Sequence, residues 1–190
     1  PCFEVMGKTI LHCGDSGSGQ KAKLANQVAI AGVMFSVCES MLFAQEAGLD
    51  VKQWLELVVP GGAGSVAMGT LGRRLLGCDY APGFFVDHFV KDLGLCLEEC
   101  KRMGLVLPGL ALSEQIYRMA QAKGHGKDGT QVLLQVLAEL SGKQWRAHPQ
   151  TIAEDTRGKA CLPLFPLFPM TSLKQRTCPV FGKRNEPGLI

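Results

Sequence analysis

The sequence predicts an all-α domain that is preceded by one short strand. Two observations support this prediction: apolar residues recur at helical spacing through most of residues 20–140, and short connections rich in Gly or Pro separate these stretches. Helices joined by short connections pack against one another, because each must bury its apolar face. With 190 residues and 46% apolar content, the chain can form one domain with a substantial core.

The first elements are a short strand and a long helix. Thr9-Ile10-Leu11, flanked by polar residues, has the composition of a strand, although the chain offers it no sheet partner. A glycine-rich run over residues 14–19 follows. The long, mostly apolar stretch behind it predicts a helix from about residue 20 to residue 47, ended by Gly48.

The composition of this helix is also that of a candidate membrane span. Glu39 is the only charged residue between residues 24 and 45, but polar side chains interrupt the stretch repeatedly. The longest nearly apolar part, residues 28–38, is too short to cross a bilayer. A helix with almost no polar face is typical of one packed on all sides. We therefore predict a buried helix and no association with a membrane.

Several shorter helices are predicted after the long one. Asp50 is placed as the N-cap of a helix over Val51–Val58, which the Pro60-Gly61-Gly62 run ends. Helical periodicity then continues in four further segments, separated by a loop over residues 79–84 and by Gly- or Pro-containing connections. These segments are residues 65–76, 88–103, 110–122 and 130–140.

The character of the sequence changes after about Trp145. Residues 162–169 carry a proline at every third position, which excludes a helix or a central strand and favours extended polyproline-type structure. We predict that residues 146–190 are a disordered or foreign tail; a frameshift or altered splice and a genuine extension are equal alternatives. Because Pro1 is not a natural start, we expect the sequence to be a fragment or an incomplete gene model.

Composition excludes several classes of function. The net charge of +3 is scattered, with no basic stripe among aromatic residues, so nucleic acid is not an expected partner. The eight cysteines form no Cys-x-x-Cys pair, which favours reduced thiols in the cytoplasm or the mitochondrial matrix. Cys96 and Cys100 are four residues apart, but no further ligands surround them. We predict that they pack in the core, and we predict no metal site.

The most informative segment is the glycine-rich run before the long helix. Three glycines precede Lys23: Gly14, Gly17 and Gly19. Lys23 projects near the start of the helix, with Gln27 on the same face and Asn26 beside it. A helix N-terminus is unfavourable for a cation, because the helix dipole is positive there. A functional reason for the lysine is therefore favoured, and we predict a proton donor or an oxyanion clamp.

This run resembles the catalytic signature of the β-hydroxyacid dehydrogenases, the family of 3-hydroxyisobutyrate dehydrogenase and tartronate semialdehyde reductase. The glycines and Lys23 match its Gly-x-x-Gly-x-Gly-x-x-x-Lys pattern, and Asn26-Gln27 occupies its amide pair. The likeness covers about residues 3–143, with further motifs in the expected order. These motifs are Gly61-Gly62-Ala63-Gly64-Ser65, Pro82-Gly83-Phe84, Lys91-Asp92-Leu93, Leu107-Pro108, Glu114-x-x-Tyr117 and Gly124-His125-Gly126-x-Asp128.

The resemblance implies a helical C-terminal domain of the 6-phosphogluconate dehydrogenase-like type over residues 14–145. Residues 1–13 would be the remnant of a nucleotide-binding domain. It further implies an NAD- or NADP-dependent homo-oligomeric enzyme that moves hydride between nicotinamide and a small hydroxy acid or semialdehyde, such as 3-hydroxyisobutyrate or tartronate semialdehyde. Lys23 would be the general acid/base. The residues implied to bind substrate are Gly17, Asn26, Gln27 and Ser65, and those implied to contact the cofactor are Phe84 and Lys91.

Some of these features have simpler interpretations. Ser65 suits a helix N-cap as well as it suits an anion-binding turn. Lys91 beside Asp92 would ordinarily be a surface ion pair of little value. In addition, the 190 residues contain no strand followed by Gly-x-Gly-x-x-Gly. The alternative function is therefore a catalytically inactive, truncated helical module that acts in oligomerisation.

Overall fold

The computed structural model describes residues 2–146, which form a helical bundle that contains no strand. Seven α-helices are connected by loops, one π-helical turn and two 3-10 turns. In chain order the elements are α1 (Cys2–Met6), α2 (Ser18–Glu46), α3 (Val51–Val58), the π turn (Met68–Gly72), α4 (Arg73–Leu76), α5 (Val86–Met103), α6 (Pro108–Ala122), two 3-10 turns (His125–Lys127 and Thr130–Val132) and α7 (Leu133–Leu140). The all-α fold class is therefore confirmed.

The long helix α2 is the centre of the bundle. It packs against α5, α6 and α7, and its buried residues recur every three or four positions, as one face of a helix requires. These residues are Gln27, Ala31, Met34, Val37, Cys38, Met41 and Ala44. In residues 2–146, α2 is the one helix long and apolar enough to cross a membrane. A helix in the core of a globular domain meets the same criteria, and α2 has this packing.

The helix ends follow local signals in the sequence. The Asp50 carboxylate accepts a hydrogen bond from the Gln53 backbone N–H at 3.0 Å, which confirms the predicted N-cap of α3. Gly48 and Gly104 follow α2 and α5 with φ of 77° and 67°. This left-handed conformation lets the last carbonyls of a helix find partners, and glycine adopts it without steric cost.

Two aromatic residues join α5 to α6 and to the turn beyond it. The rings of Phe89 and Tyr117 meet edge to face, with centroids 4.9 Å apart. The buried Tyr117 hydroxyl donates to the Thr130 carbonyl at 2.9 Å. This contact satisfies a polar group in the core and fixes the second 3-10 turn against α6.

The cysteines of the described region are free thiols, and three of them lie in the core. Cys38 is fully buried in α2, and burial raises the pKa of its thiol. Cys96 and Cys100 are buried in α5, as expected for core packing. Among residues 2–146, no group of three or more His, Cys, Asp and Glu side chains is arranged to hold a metal ion.

The predicted N-terminal strand is wrong. Cys2–Met6 forms the short helix α1, and Thr9-Ile10-Leu11 is exposed without regular structure. A strand satisfies its backbone groups by pairing with another strand, and residues 2–146 supply none. Thr9-Ile10-Leu11 therefore has the composition of a strand, but residues 2–146 contain no strand with which it could pair.

Several boundaries and turns also differ from prediction, and α5 begins at Val86 rather than residue 88. Helix α6 begins at Pro108 rather than residue 110, because proline has no N–H to leave unsatisfied in the first helical turn. Residues 65–76 contain the π turn, and the segment over residues 130–140 opens with a 3-10 turn. The proposed tail over residues 146–190 lies, apart from Arg146, outside the described residues.

Two glycine variants test the helical geometry of α5. Gly94 lies inside the helix with open space at the Cβ position, so Gly94→Ala should raise the free energy of unfolding by about 0.5–1 kcal/mol. Gly104 has a left-handed φ, so Gly104→Ala should lower it by about 1–2 kcal/mol. Urea unfolding of both variants measures these changes. Changes of the same sign would contradict the assigned end of α5.

Candidate active site

Lys23 lies in the second turn of α2, at the surface of the bundle. The helix begins after Gly17, which has a left-handed φ of 90°, and the Gly17 carbonyl accepts from the Lys21 backbone N–H at 3.1 Å. Gly14 also has a positive φ, of 117°. These glycines are therefore needed to turn the chain into α2. The Lys23 side chain is 56% exposed, which leaves its ammonium accessible to a small molecule.

The carboxylate of Asp92 is the centre of a polar cluster around Lys23. Asp92 belongs to α5 and is 8% exposed. Its Oδ2 accepts from Gln27 Nε2 at 2.8 Å and lies 3.6 Å from Lys23 Nζ. Its Oδ1 lies 3.0 Å from Lys91 Nζ. The two cations and the amide thus share one nearly buried anion, which holds α2 and α5 in register at this point.

The amide pair extends this cluster along α2. Asn26 Nδ2 donates to Gln27 Oε1 at 3.1 Å, and Gln27 in turn donates to Asp92. The Gln27 amide is therefore engaged through both its oxygen and its nitrogen. Asn26 is exposed, whereas Gln27 is buried, so the two amides differ in their access to a ligand.

Opposing effects act on the ionisation of Asp92. Burial disfavours the carboxylate, but hydrogen bonds from Lys91 and Gln27, together with the charges of Lys91 and Lys23, outweigh burial. The pKa of Asp92 consequently lies below its usual value. Asp92 is a carboxylate at neutral pH, and it supplies a permanent negative charge beside Lys23.

An aromatic ring also lies close to the lysine. Lys23 Nζ is 5.5 Å from the centroid of the Phe84 ring, a cation–π distance. Phe84 is 37% exposed and also meets Phe89 of the core edge to face, at 5.9 Å. The ring is thus partly anchored in the core and partly open to the surface next to Lys23.

Hydrogen bonds from Arg74 and from Gln131 hold the loop that carries Phe84. Arg74 Nε donates to Asp79 Oδ2 at 2.7 Å, and Asp79 Oδ1 accepts from the Ala81 backbone N–H at 2.9 Å. The buried Gln131 Nε2 donates to the carbonyls of Asp79 and Ala81 at 3.1 Å each. These contacts fix the backbone of residues 79–81 just before the Pro82-Gly83-Phe84 motif.

A cavity of about 270 Å³ opens beside Lys23. This volume lies just below the roughly 300–1,000 Å³ typical of small-molecule sites. Most of the residues around it are apolar, and the few polar ones include the lysine and the amide of α2. The cavity is lined by Lys23, Gln27, Ile30, Met34, Ala67, Leu71, Gly83, Phe84, Thr130 and Gln131.

The structure brings together some of the sequence-predicted site residues and not others. Lys23, Gln27 and Phe84 line the cavity, whereas Lys91 reaches the cluster through Asp92 without lining it. Ser65 is not among the lining residues. Its hydroxyl accepts a hydrogen bond from the Met68 backbone N–H at 3.0 Å, so Ser65 acts as a helix N-cap.

The glycine turn before Ser65 has a packing reason of its own. A Cβ at Gly64 would lie 1.9 Å from the carbonyl oxygen of Val59, so no other residue fits there without a backbone shift. The small residues of this motif are therefore explained by the close approach of two backbone segments. This explanation does not require a ligand.

Asp92 is the functional candidate that sequence reasoning missed. The sequence indicates only an ion pair between Asp92 and Lys91, yet Asp92 connects Lys23, Lys91 and Gln27. A signal was available, since Asp92 lies on the apolar face of α5 between Phe89 and Cys96. A carboxylate on a buried helix face must find partners, and such groups are often functional.

The helical fold and the lysine–carboxylate cluster beside a small cavity are features of a small-molecule enzyme domain. Residues 17–137 match the family model described as "NAD-binding of NADP-dependent 3-hydroxyisobutyrate dehydrogenase". The chain therefore belongs to the 3-hydroxyisobutyrate dehydrogenase family of oxidoreductases, which confirms the resemblance found in the sequence. The cofactor class named by this model is a nicotinamide dinucleotide, as predicted.

Individual relatives agree with this assignment. The chain is 52% identical over 141 residues to "Probable 3-hydroxyisobutyrate dehydrogenase-like 1, mitochondrial" of Arabidopsis thaliana, covering 74% of this chain and 42% of the relative. It is 34% identical to the 2-hydroxy-3-oxopropionate reductase of Escherichia coli, covering 72% and 47%. A crystal structure of 3-hydroxyisobutyrate dehydrogenase from Salmonella typhimurium superimposes with a TM-score of 0.66 at 25% identity, covering 70% and 47%. The chain thus spans less than half the length of these relatives.

The importance of the Gln27–Asp92 contact can be measured by a double-mutant cycle. Gln27→Ala, Asp92→Ala and the double variant should give a coupling free energy of about 1.5–3 kcal/mol in urea unfolding at pH 7, because a nearly buried carboxylate accepts this hydrogen bond. The control cycle uses Glu99 and Arg102, whose guanidinium is exposed. It should give about 0.2–1 kcal/mol. Equal couplings in the two cycles would contradict the central role of Asp92.

The stability of the folded protein should depend on pH through Asp79, which holds the loop that carries Phe84. The hydrogen bonds from Arg74 and the Ala81 backbone lower the pKa of Asp79 to about 2. A lowered folded-state pKa contributes stability above the unfolded value of about 3.9, and this contribution is lost as the pH falls through about 2.

Wild type should therefore be more stable than Asp79→Asn at neutral pH, and the difference should shrink between about pH 4 and pH 2. Urea unfolding across this pH range measures the difference. A difference that stays constant over the range would mean that the Asp79 charge does not hold the loop.

Proposed function

We propose that the chain is the lysine-bearing helical part of an NAD- or NADP-dependent 3-hydroxyacid dehydrogenase. Residues 14–145 would form its C-terminal domain, of the 6-phosphogluconate dehydrogenase-like type, and residues 1–13 would derive from the preceding nucleotide-binding domain. The observation that supports this most strongly is the position of Lys23. Its ammonium lies 3.6 Å from the Asp92 carboxylate and 5.5 Å from the centroid of the Phe84 ring, beside a cavity large enough for a small hydroxy acid.

Lys23 would act on the oxygen of the reacting carbon. In the reducing direction, Lys23 Nζ donates a proton to the carbonyl oxygen as negative charge develops there, and in the oxidising direction it takes the hydroxyl proton back. Asp92 attracts the ammonium and limits its positions, while Gln27 donates to Asp92 and Asn26 donates to Gln27. Because Asp92 also contacts Lys91, the carboxylate keeps a cationic partner when Lys23 has lost its proton.

The residues near Lys23 suit contact with one end of a dinucleotide. Phe84 presents a partly exposed ring close to Lys23, and Lys91 presents an exposed ammonium that contacts Asp92. A ring can pack against a flat heterocycle, and an ammonium can neutralise a phosphate. When bound, the nicotinamide would supply or accept the hydride. These residues would only orient it, since the described chain contains no glycine-rich turn between a strand and a helix.

The proposed substrates are small carboxylated aldehydes and their 3-hydroxy acids, such as 3-hydroxyisobutyrate or tartronate semialdehyde. The relatives include a probable 3-hydroxyisobutyrate dehydrogenase-like protein and a 2-hydroxy-3-oxopropionate reductase, which supports this class. Gly17, Asn26 and Ser65 remain candidates for substrate contact. The Ser65 hydroxyl already caps a helix, so its part in carboxylate binding would use the backbone of the turn.

A helical module that acts in oligomerisation is the alternative function. It is favoured by the outward face of α2, where small residues and one large apolar residue are exposed. They are Ala25, Ala29, Gly32, Ser36 and Phe43. A homo-oligomer is compatible with both proposals. The compartment is proposed to be the cytoplasm or the mitochondrial matrix, given the free thiols and the mitochondrial relatives.

The catalytic proposal can be tested by supplying a nucleotide-binding half. The 190-residue chain alone should not oxidise NADPH or NADH with semialdehydes above background. A fusion that joins the N-terminal half of the Arabidopsis relative to this chain should be active, because the two are 52% identical over the shared region. In that fusion, Lys23→Ala should lower kcat about 10²–10⁴-fold, as loss of a general acid does.

Lys21→Ala is the matched control, since Lys21 is an exposed lysine one half-turn away and outside the cavity. It should leave kcat unchanged, and thermal unfolding should show both variants folded. A fusion that folds without activity favours the oligomerisation module. Full activity of Lys23→Ala would exclude Lys23 as the proton donor.

A further inference from the structure

We propose that Cys96, Cys100 and Met103 of α5 form a binding site for a soft, thiophilic metal ion of the Cu(I) class. Both cysteines are free thiols, and the mechanism proposed for Lys23 uses none of the three residues. The site lies in a cavity of its own, so the inference does not rest on the proposed dehydrogenase function.

The three sulfur-containing side chains share one face of α5. They occupy positions i, i+4 and i+7 of the helix, so they follow one another along one side of it. A disulfide needs Cβ atoms about 3.5–4.5 Å apart, whereas residues four apart on a helix have Cβ atoms about 5–6 Å apart. The two thiols therefore stay separate unless the backbone moves. An ion that bonds to both sulfurs can span the larger gap.

All three residues line one cavity of about 360 Å³ between α2 and the end of α5. Cys96 and Cys100 are buried, whereas Met103 is exposed, so this cavity extends from the core to the surface. Neither Lys23 nor Asp92 lines it. Apolar side chains make up most of the remaining wall, and they include Leu24, Val28, Leu105 and Leu107.

Backbone contacts fix both cysteines at the cavity. Cys96 Sγ donates to the Leu24 carbonyl of α2 at 3.4 Å. The Leu105 backbone N–H donates to the Cys100 carbonyl at 2.9 Å, which holds the chain after α5 at the edge of the same cavity. Ligands on a supported helix are held more accurately than ligands on a loop. The fold thus supplies both thiols in defined positions before an ion arrives.

The donor atoms select the kind of ion. Thiolate and thioether sulfurs are soft ligands, and they favour Cu(I) over hard cations. Zn²⁺ usually takes four ligands, for which Cys96 and Cys100 are too few. Glu99 also lines the cavity, but its carboxylate pairs with Arg102 at 2.6 Å. The thioether of Met103 adds a third sulfur, which suits Cu(I) and not Zn²⁺.

Binding requires no change of oxidation state. Cu(I) replaces the protons of both thiols, forms a bond to each sulfur and releases both protons to solvent. The complex of one monovalent cation with two thiolates carries a single negative charge. Lys21 lines the same cavity and is exposed, so its ammonium can offset this charge.

The test measures transfer of Cu(I) from its bicinchoninate complex to the 190-residue chain, without oxygen and with ascorbate present. Other accessible thiols are first removed in a parent variant that carries Cys2→Ser, Cys13→Ser, Cys161→Ser and Cys178→Ser. Cys2 and Cys13 are exposed, and the other two lie outside the described residues. The parent should take up one Cu(I) per chain, and X-ray absorption should show only sulfur bound to the copper.

Substitutions in the parent assign the ion to this cavity. Cys96→Ala and Cys100→Ala should each weaken Cu(I) binding by about 100-fold or more, and Met103→Leu by about tenfold, because a thioether is the weaker ligand. Cys38→Ala is the matched control for a buried thiol, since Cys38 is buried in α2 and does not line the cavity. Met119→Leu is the matched control for the thioether. Both controls should leave the affinity unchanged.

Three results would each overturn the inference: no transfer of Cu(I) to the parent, unchanged affinity in Cys96→Ala and Cys100→Ala, or nitrogen or oxygen ligands in X-ray absorption. Circular dichroism checks that each variant is folded. Met103 is exposed, so Met103→Leu still decides the question if the cysteine variants do not fold, and an unchanged affinity in that variant would reject the three-sulfur site. Activity of the fusion enters none of these measurements, so the dehydrogenase proposal can fail or succeed separately.

Discussion

A carboxylate in a nearly buried position must be surrounded by donors and cations, and Asp92 imposes this requirement on the bundle. Its partners come from both α2 and α5, so the requirement is met only when these helices meet with Lys23, Gln27 and Lys91 at one level. Removing such a charge from water is costly, and the fold offsets that cost with one amide and two ammonium groups. The same contacts limit the positions of Lys23. The stability of the contact between α2 and α5 and the position of Lys23, the candidate general acid, thus both depend on the Asp92 carboxylate.

One part of helix α2 packs in the core, and another part carries Lys23 of the candidate site. From Ala31 to Ala44 its inner face is buried against three other helices, which gives the helix a rigid support. Its first turns lie near the edge of the bundle, where Lys23 remains accessible. A catalytic group held on a supported helix is positioned more accurately than one on a loop. At the start of α2, Gly14 and Gly17 have positive φ, and they turn the chain into the helix.

The side of the cavity opposite α2 depends on long-range contacts made by a loop. Phe84 follows a short segment whose carbonyls accept from Gln131 and whose Asp79 pairs with Arg74. Gln131 itself lies in the 3-10 turn that the Tyr117 hydroxyl fixes to α6. Elements from four parts of the chain therefore shape the space beside Lys23. This explains how an apolar cavity can adjoin a cluster of charges, since different elements supply each part.

The amino-acid sequence alone determined the helical class, the approximate extent of α2 and α3, the Asp50 cap and the position of Lys23 near the start of α2, because periodicity, capping residues and glycine turns act over a few neighbouring residues. It failed for Thr9-Ile10-Leu11, whose strand propensity has no pairing partner in the described chain. Asp92 and the cavity were decided only by tertiary structure. Asp92 is 65 residues from Gln27 along the chain, and the partners of a buried carboxylate depend on how helices pack. The apolar wall of Ile30, Met34, Ala67 and Leu71 likewise exists only after α2 and the π turn meet.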